Sequence, residues 1–222
     1  MQPYNTVFIV DTCELYWCPG TIIPNKGHSD CLPDKSKGAL VVIPEMVIYE
    51  LWHLGNNSKR NKATPYQKRV AKLLLQAIFK GFKDYACSTD FTRTSNLGFR
   101  NRSFSLVKPT RKFLNSMPTK LPKHDDVVLA TALYCAMLKA GVSPVVYDRN
   151  FDFGSIDATL VTADKRLAKK ASRKGLKVML LQSSSNGSSK KGKKQKPKRR
   201  SANHQVRYHT SYNGDTPHTT NR

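Results

Sequence analysis

The sequence predicts an α/β protein, because continuous β-branched apolar runs of strand length alternate with stretches of helical periodicity. Thr6-Val7-Phe8-Ile9-Val10, Ala39-Leu40-Val41-Val42-Ile43 and Ala158-Thr159-Leu160-Val161-Thr162 are such runs. An unbroken apolar run suits a strand covered on both faces, as in parallel sheets packed under helices. Lys177-Val178-Met179-Leu180-Leu181 reads as a final strand.

Acids stand at the ends of these elements. Asp11 closes the first run, which sets its carboxylate at the strand's carboxyl end, the edge where ligands sit in open α/β sheets. The second run leads into Pro44-Glu45-Met46-Val47-Ile48-Tyr49-Glu50. Pro44 suits a first helical position, so Glu50 falls inside a helix with Val47, Leu51 and Leu54 on or near its face. Asp125 opens Asp125-Asp126-Val127-Val128-Leu129-Ala130-Thr131-Ala132-Leu133, where positions 125, 129, 132, 133 and 136 share one stripe. A carboxylate heading that stripe points along the buried face. Asp164 follows the third run and precedes a helix-like stretch from Lys165 to Lys174, which Gly175 stops. Each acid has an ordinary alternative role: Asp11 as a turn former, Asp125, Asp126 and Asp164 as helix N-caps, Glu50 as surface charge.

Phe8 to Thr12, Ile43-Pro44 through Tyr49-Glu50-Leu51, Asp125 to Leu133, and Leu160 to Leu167 with Gly175-Leu176 behind them resemble, in order and local character, a PIN-domain nuclease along residues 6 to 181. The resemblance implies a three-layer α/β/α sandwich with a mainly parallel central sheet. It also implies that Asp11, Glu50, Asp125 and Asp164 gather over one sheet edge to bind Mg2+ or Mn2+. Asp126 is the alternative to Asp125, and the Thr12 and Thr162 hydroxyls resemble family positions that support the acids. The chemistry agrees: hard divalent cations take carboxylate oxygens, and crowded carboxylates bind protons or ions rather than stay bare. The implied activity is hydrolysis of phosphodiester bonds, with bound cations activating water and supporting the leaving oxygen.

At 222 residues with 39% hydrophobic content, the chain suits one buried core, expected over 1–182, and a tail over 183–222. No apolar stretch reaches the ~18–20 residues of a bilayer span. Met1-Gln2-Pro3-Tyr4-Asn5 lacks the basic start of a secretory signal, so an intracellular, cytoplasmic protein without a membrane partner is expected. Five cysteines without a dense framework suit a reducing compartment. Cys13, Cys18, His28 and Cys31 are zinc-ligand residue types, but they lack the tight pair of a zinc signature and read more simply as free thiols in a loop. Cys87 and Cys135 lie in apolar surroundings and read as small core residues.

Charge is the second strong signal. The net charge is +23, and residues 183–222 hold ten basic residues against one acidic one, so most of the excess belongs to the folded part. Such a field favours a polyanion, with RNA the first expectation and DNA an alternative. Lys59, Arg60, Lys62, Lys68, Arg69 and Lys72 accompany a helix whose other face carries Val70, Leu73, Leu74, Ala77 and Ile78. A basic insertion at about 88–123 sets Arg93, Arg100, Arg102, Lys108, Arg111 and Lys112 among Phe91, Phe99, Phe104 and Phe113. That mixture suits single-stranded nucleic acid, the charges meeting phosphate and the rings chiefly packing on the core. The insertion reads as a long connection without obvious structure, running into Asp125 and bordering the cleft. Asp148 reads as a turn former and a reserve ligand. In the tail, a Ser/Gly linker leads to Lys190, Lys191, Lys193, Lys194, Lys198, Arg199 and Arg200, a disordered arm for phosphate or, in a host with a nucleus, a nuclear address.

The leading reading is a metal-dependent endoribonuclease acting on single-stranded or unpaired RNA. One alternative is a noncatalytic RNA-binding or assembly protein with a PIN fold, whose mark would be loss of an acid. Another is a toxin-type PIN ribonuclease held by an inhibitor, for which the insertion and tail make the chain large. A protein regulator and a homodimer stay open.

Overall fold

The computed structural model describes residues 4–23, 29–33, 38–56, 63–82, 86–97, 102–118 and 124–182, and the backbone of 207–209. Its elements are β1 (Val7–Val10), α1 (Thr12–Trp17), β2 (Leu40–Pro44), α2 (Glu45–Asn56), α3 (Pro65–Gly81), β3 (Ser103–Val107), α4 (Arg111–Ser116), α5 (His124–Lys139), β4 (Ala158–Thr162), α6 (Lys165–Ser172), β5 (Lys177–Gln182) and β6 (Arg207–His209). One sheet of order β3-β2-β1-β4-β5-β6 joins the strands. The first five are parallel, and β6 pairs antiparallel with β5. With the helices this makes the α/β/α sandwich, with a mainly parallel central sheet, that the resemblance implies.

The apolar runs form the strands for the reason their composition gives. β1 and β2 are buried at every position, and each such Val, Ile or Leu contributes roughly 1.5–3 kcal/mol when fully buried. β1 lies between β2 and β4, with Val7 opposite both Leu40 and Ala158. The chain first builds outward through β2 to β3, then returns to lay β4 on the other side of β1 and β5 beyond it. Connections therefore diverge between β1 and β4, and a crevice opens beyond their carboxyl ends at this switch point. Asp11 and Asp164 stand there.

Four departures from the sequence reading matter. Pro44 is the last residue of β2, opposite Val107, and α2 begins at Glu45. The basic insertion is structured: Ser103–Val107 forms β3 and Arg111–Ser116 forms α4, while Ser88 and Ser95 bridge to Val107 and Phe104. On α3 the buried face is Val70, Ala71, Leu74, Leu75 and Ile78, leaving Leu73 exposed. Arg207–His209, in the expected tail, forms β6. Phe91, Phe104 and Phe113 pack in the core, whereas Phe99 lies outside the described residues. Among the described residues no helix is long and apolar enough to cross a membrane.

Candidate metal centre

Asp11 leaves β1 extended and caps α1, its Oδ1 accepting from the Thr12 amide at 2.7 Å. Its Oδ2 accepts from Thr162 Oγ1 at 2.7 Å and from Cys13 Sγ at 2.8 Å. Thr162 Oγ1 in turn accepts from the Asp164 amide at 2.9 Å, so one hydroxyl ties together the acidic positions beyond β1 and β4. Asp164 caps α6, its Oδ1 accepting from the amides of Arg166 at 2.6 Å and Leu167 at 3.0 Å. Glu50 comes from α2: Thr12 Oγ1 donates to its Oε2, and His124 Nδ1 lies 3.0 Å from its Oε1.

Asp11, Glu50, Asp125 and Asp164 line one cleft of about 490 Å3, walled also by Tyr16, Trp17, Leu54 and Gln67. Among the described residues lining it there is no lysine or arginine. Burial pushes the Asp11 carboxyl above its usual range, the hydrogen bonds from Cys13, Thr162 and Thr12 oppose this, and repulsion from Asp125 adds to it. Burial likewise raises Glu50; the Thr12 bond opposes, the Asp11 charge adds, and His124 opposes. Burial raises the Cys13 thiol to about 12, which keeps it a donor toward Asp11.

Carboxylates that repel one another in a half-buried space, with no ammonium or guanidinium on its described walls, fit a hard divalent cation in donor type and charge. Asp11, Glu50, Asp125 and Asp164 would hold it. Among the described residues no three acidic, histidine or cysteine side chains already converge as a ligand cage, so the fit rests on donor chemistry and charge.

The geometry separates Asp125 from Asp126. Asp126 is nearly buried and ion-paired with Lys170 of α6 at 2.6 Å, while Asp125 lines the cleft. Asp148 accepts from the Asn150 amide at 2.8 Å as a turn former.

The expected nucleic-acid set needs one clear correction. Arg102 is 2% exposed; its Nη1 donates to Asp30 Oδ2 at 2.7 Å and its Nη2 to the carbonyls of Leu32 and Pro33. A guanidinium committed to that pocket holds a loop against β3 and does not meet phosphate. Arg93, Arg111 and Lys112 are exposed, and Lys108 is exposed but paired with Glu45 at 2.9 Å. Arg100, Lys190, Lys191, Lys193, Lys194, Lys198, Arg199 and Arg200 lie outside the described residues. The four zinc-type residues divide: Cys13 serves Asp11, Cys18 and Cys31 are buried beside Glu14, and His28 lies outside the described residues.

Cys13 is at this site as a hydrogen-bond donor to Asp11, and Tyr16, Trp17, Gln67 and His124 join it unanticipated from the sequence. Two of them carried a signal, since Tyr16 follows Thr12 by one helical turn and His124 directly precedes Asp125.

The model of the PIN domain matches residues 8–182. The chain belongs to the PIN-domain family. PIN domains are generally nucleases that bind nucleic acid and usually use divalent metals such as Mg2+ or Mn2+. Among solved structures, the PIN domain is similar to a domain of a functionally unknown protein from Methanocaldococcus jannaschii DSM 2661, with 18% identity and a TM-score of 0.42 over 82% of this chain and 95% of that one. No curated protein matches the chain.

Proposed function

We propose that this PIN domain is a metal-dependent endoribonuclease that hydrolyses phosphodiester bonds of single-stranded or unpaired RNA. The observation that carries this reading is a cleft lined by four carboxylates and by no lysine or arginine among the described residues, in a chain of net charge +23. A Mg2+ or Mn2+ ion bound there supplies the positive charge and the acidified water that hydrolysis of a phosphodiester needs.

The protein's part is positioning. Thr162 fixes Asp11 and the Asp164 backbone, Thr12 fixes Glu50, and α5 brings Asp125 to the remaining side. Such bonds hold carboxylates in one orientation, which sets ligand geometry and basicity. Tyr16, Trp17 and Leu54 line the cleft beside the acids. Exposed Arg111 and Lys112 add to the field that draws a polyanion in.

The test is cleavage of labelled single-stranded RNA and the matching DNA with Mn2+, with Mg2+ and with EDTA, beside the Asp11→Asn variant. Internal cuts in RNA that need the metal and vanish in the variant are expected. Tight binding without cutting under every metal contradicts the proposal and favours a noncatalytic RNA-binding role.

A further inference from the structure

α2 presents two faces. Glu50 and Leu54, four residues apart, look into the acidic cleft. Met46, Tyr49 and Trp52, spaced by three, line a second cavity of about 510 Å3 against Phe79 and Leu106, with Glu45 at its edge. Tyr49 is 49% and Trp52 50% exposed, a large apolar surface left open to solvent.

The two sites are joined. His124 Nδ1 lies 3.0 Å from Glu50 Oε1. From His124 the Tyr49 ring is 5.7 Å away, His53 follows 4.2 Å from Tyr49, and Trp52 stands 5.0 Å from His53, all edge-on. A ridge of rings therefore runs from the rim of the acidic cleft into the second cavity.

We infer that this second cavity is a base-binding subsite, taking an unpaired nucleobase of the strand whose phosphate occupies the acidic cleft. The inference rests on the nuclease reading and deepens it. Its occupant follows from three observations: contacts of His124 with Glu50 and Tyr49 link the cavity to the acidic site, its walls carry the rings of Tyr49, Trp52 and Phe79, and the chain's charge favours a polyanion. Rings of this kind accept any base by stacking, so the subsite selects unpaired strands and not a sequence. A base inside a duplex has no free face to offer, which gives a physical reason for single-strand preference.

The chain has two tryptophans, and they report on the two sites separately: Trp17 is 48% exposed in the cleft wall, and Trp52 lies in the second cavity. In Trp17→Phe, Trp52 is the sole indole reporter. The variant, carrying Asp11→Asn as well so that nothing is cut, is titrated in saturating Mn2+ with an oligoadenylate and with an abasic ribose-phosphate oligomer of equal length; anisotropy of the labelled strand reports binding independently. Oligoadenylate should quench Trp52 with the same midpoint as the anisotropy, and the abasic strand should bind without quenching it. Trp52→Ala should weaken oligoadenylate binding at least about fivefold, with Trp52→Phe recovering most of the loss. Unchanged Trp52 emission on a bound strand, equal quenching by the abasic strand, or wild-type affinity in Trp52→Ala overturns the subsite while leaving the nuclease proposal intact. Quenching as expected in a protein that never cuts RNA would instead remove the nuclease reading and keep the base site.

Discussion

Thr162 Oγ1 donates to Asp11 Oδ2 at 2.7 Å, linking residues 151 apart in the chain. The bond spans the carboxyl ends of β1 and β4, and the same oxygen accepts from the Asp164 amide. Thr162→Val keeps the shape and removes both functions. The Mn2+ concentration for half-maximal RNA cleavage should rise about 10–100-fold, as for other groups that orient ligands, while Thr162→Ser stays near wild type. A Mn2+ titration of cleavage rate checks this.

Asp164 carries a cap and, on the present reading, a metal ligand. Asparagine caps helices about as well as aspartate, so Asp164→Asn should leave thermal stability nearly unchanged. Cleavage should nevertheless fall about 100-fold or more, because a charged ligand is gone. Asp126→Asn, which weakens only the ion pair with the partly exposed Lys170, should keep activity within about twofold. Melting curves run beside rate measurements separate the two roles.

Arg102 and Asp30 are 2% and 4% exposed. Arg102→Ala strands a buried carboxylate and should destabilise the domain by about 3–5 kcal/mol in urea, with RNA affinity per folded molecule unchanged. Arg111→Ala and Lys112→Ala should do the reverse: stability holds and RNA binding weakens. For each phosphate that either side chain neutralises, the variant's salt slope should be shallower by about 0.7.

Burial lifts the fully buried Glu14 carboxyl well above its ordinary 4.5, with the Cys31 and Thr21 hydrogen bonds opposing. The folded chain then holds a proton that the unfolded chain releases above about 4.5, so this group's contribution falls as pH rises from there toward its raised value. Glu14→Gln keeps an acceptor for Cys31 and Thr21 and removes the titration. The variant should melt higher than wild type at pH 7, and the difference should shrink toward pH 4.5. Asp11 and Glu50 are raised in the same direction, but their effect is common to both proteins and cancels in the comparison.

Much of the sheet could be read in advance, because β1, β2 and β4 are short unbroken runs rich in β-branched residues and β5 is a similar apolar run after Gly175, the pattern of strands covered on both faces. β3, as long as β2, escaped because the serines of Ser103-Phe104-Ser105-Leu106-Val107 break its apolar run and basic residues surround it; parallel pairing with β2 buries it nonetheless. Arg-Tyr-His in β6 has no apolar signal, and its pairing with β5 is entirely long-range. At the site, strand and helix ends marked Asp11, Asp125 and Asp164, whereas Glu50, in the middle of α2, was singled out only by the family resemblance. What separates Asp125 from Asp126 is Lys170, 44 residues on, and what removes Arg102 from the nucleic-acid surface is Asp30, 72 residues before it. Local pattern carries no information about such partners.

The central claim, that Asp11, Glu50, Asp125 and Asp164 form one cation site, is tested most directly by Mn2+ binding followed by electron paramagnetic resonance. The full chain is compared with Asp11→Asn, Glu50→Gln, Asp125→Asn, Asp164→Asn and the control Asp126→Asn. Saturable binding that weakens about tenfold or more in each of the four, and holds in the control, is expected. Equal Mn2+ affinity in all six proteins would contradict it.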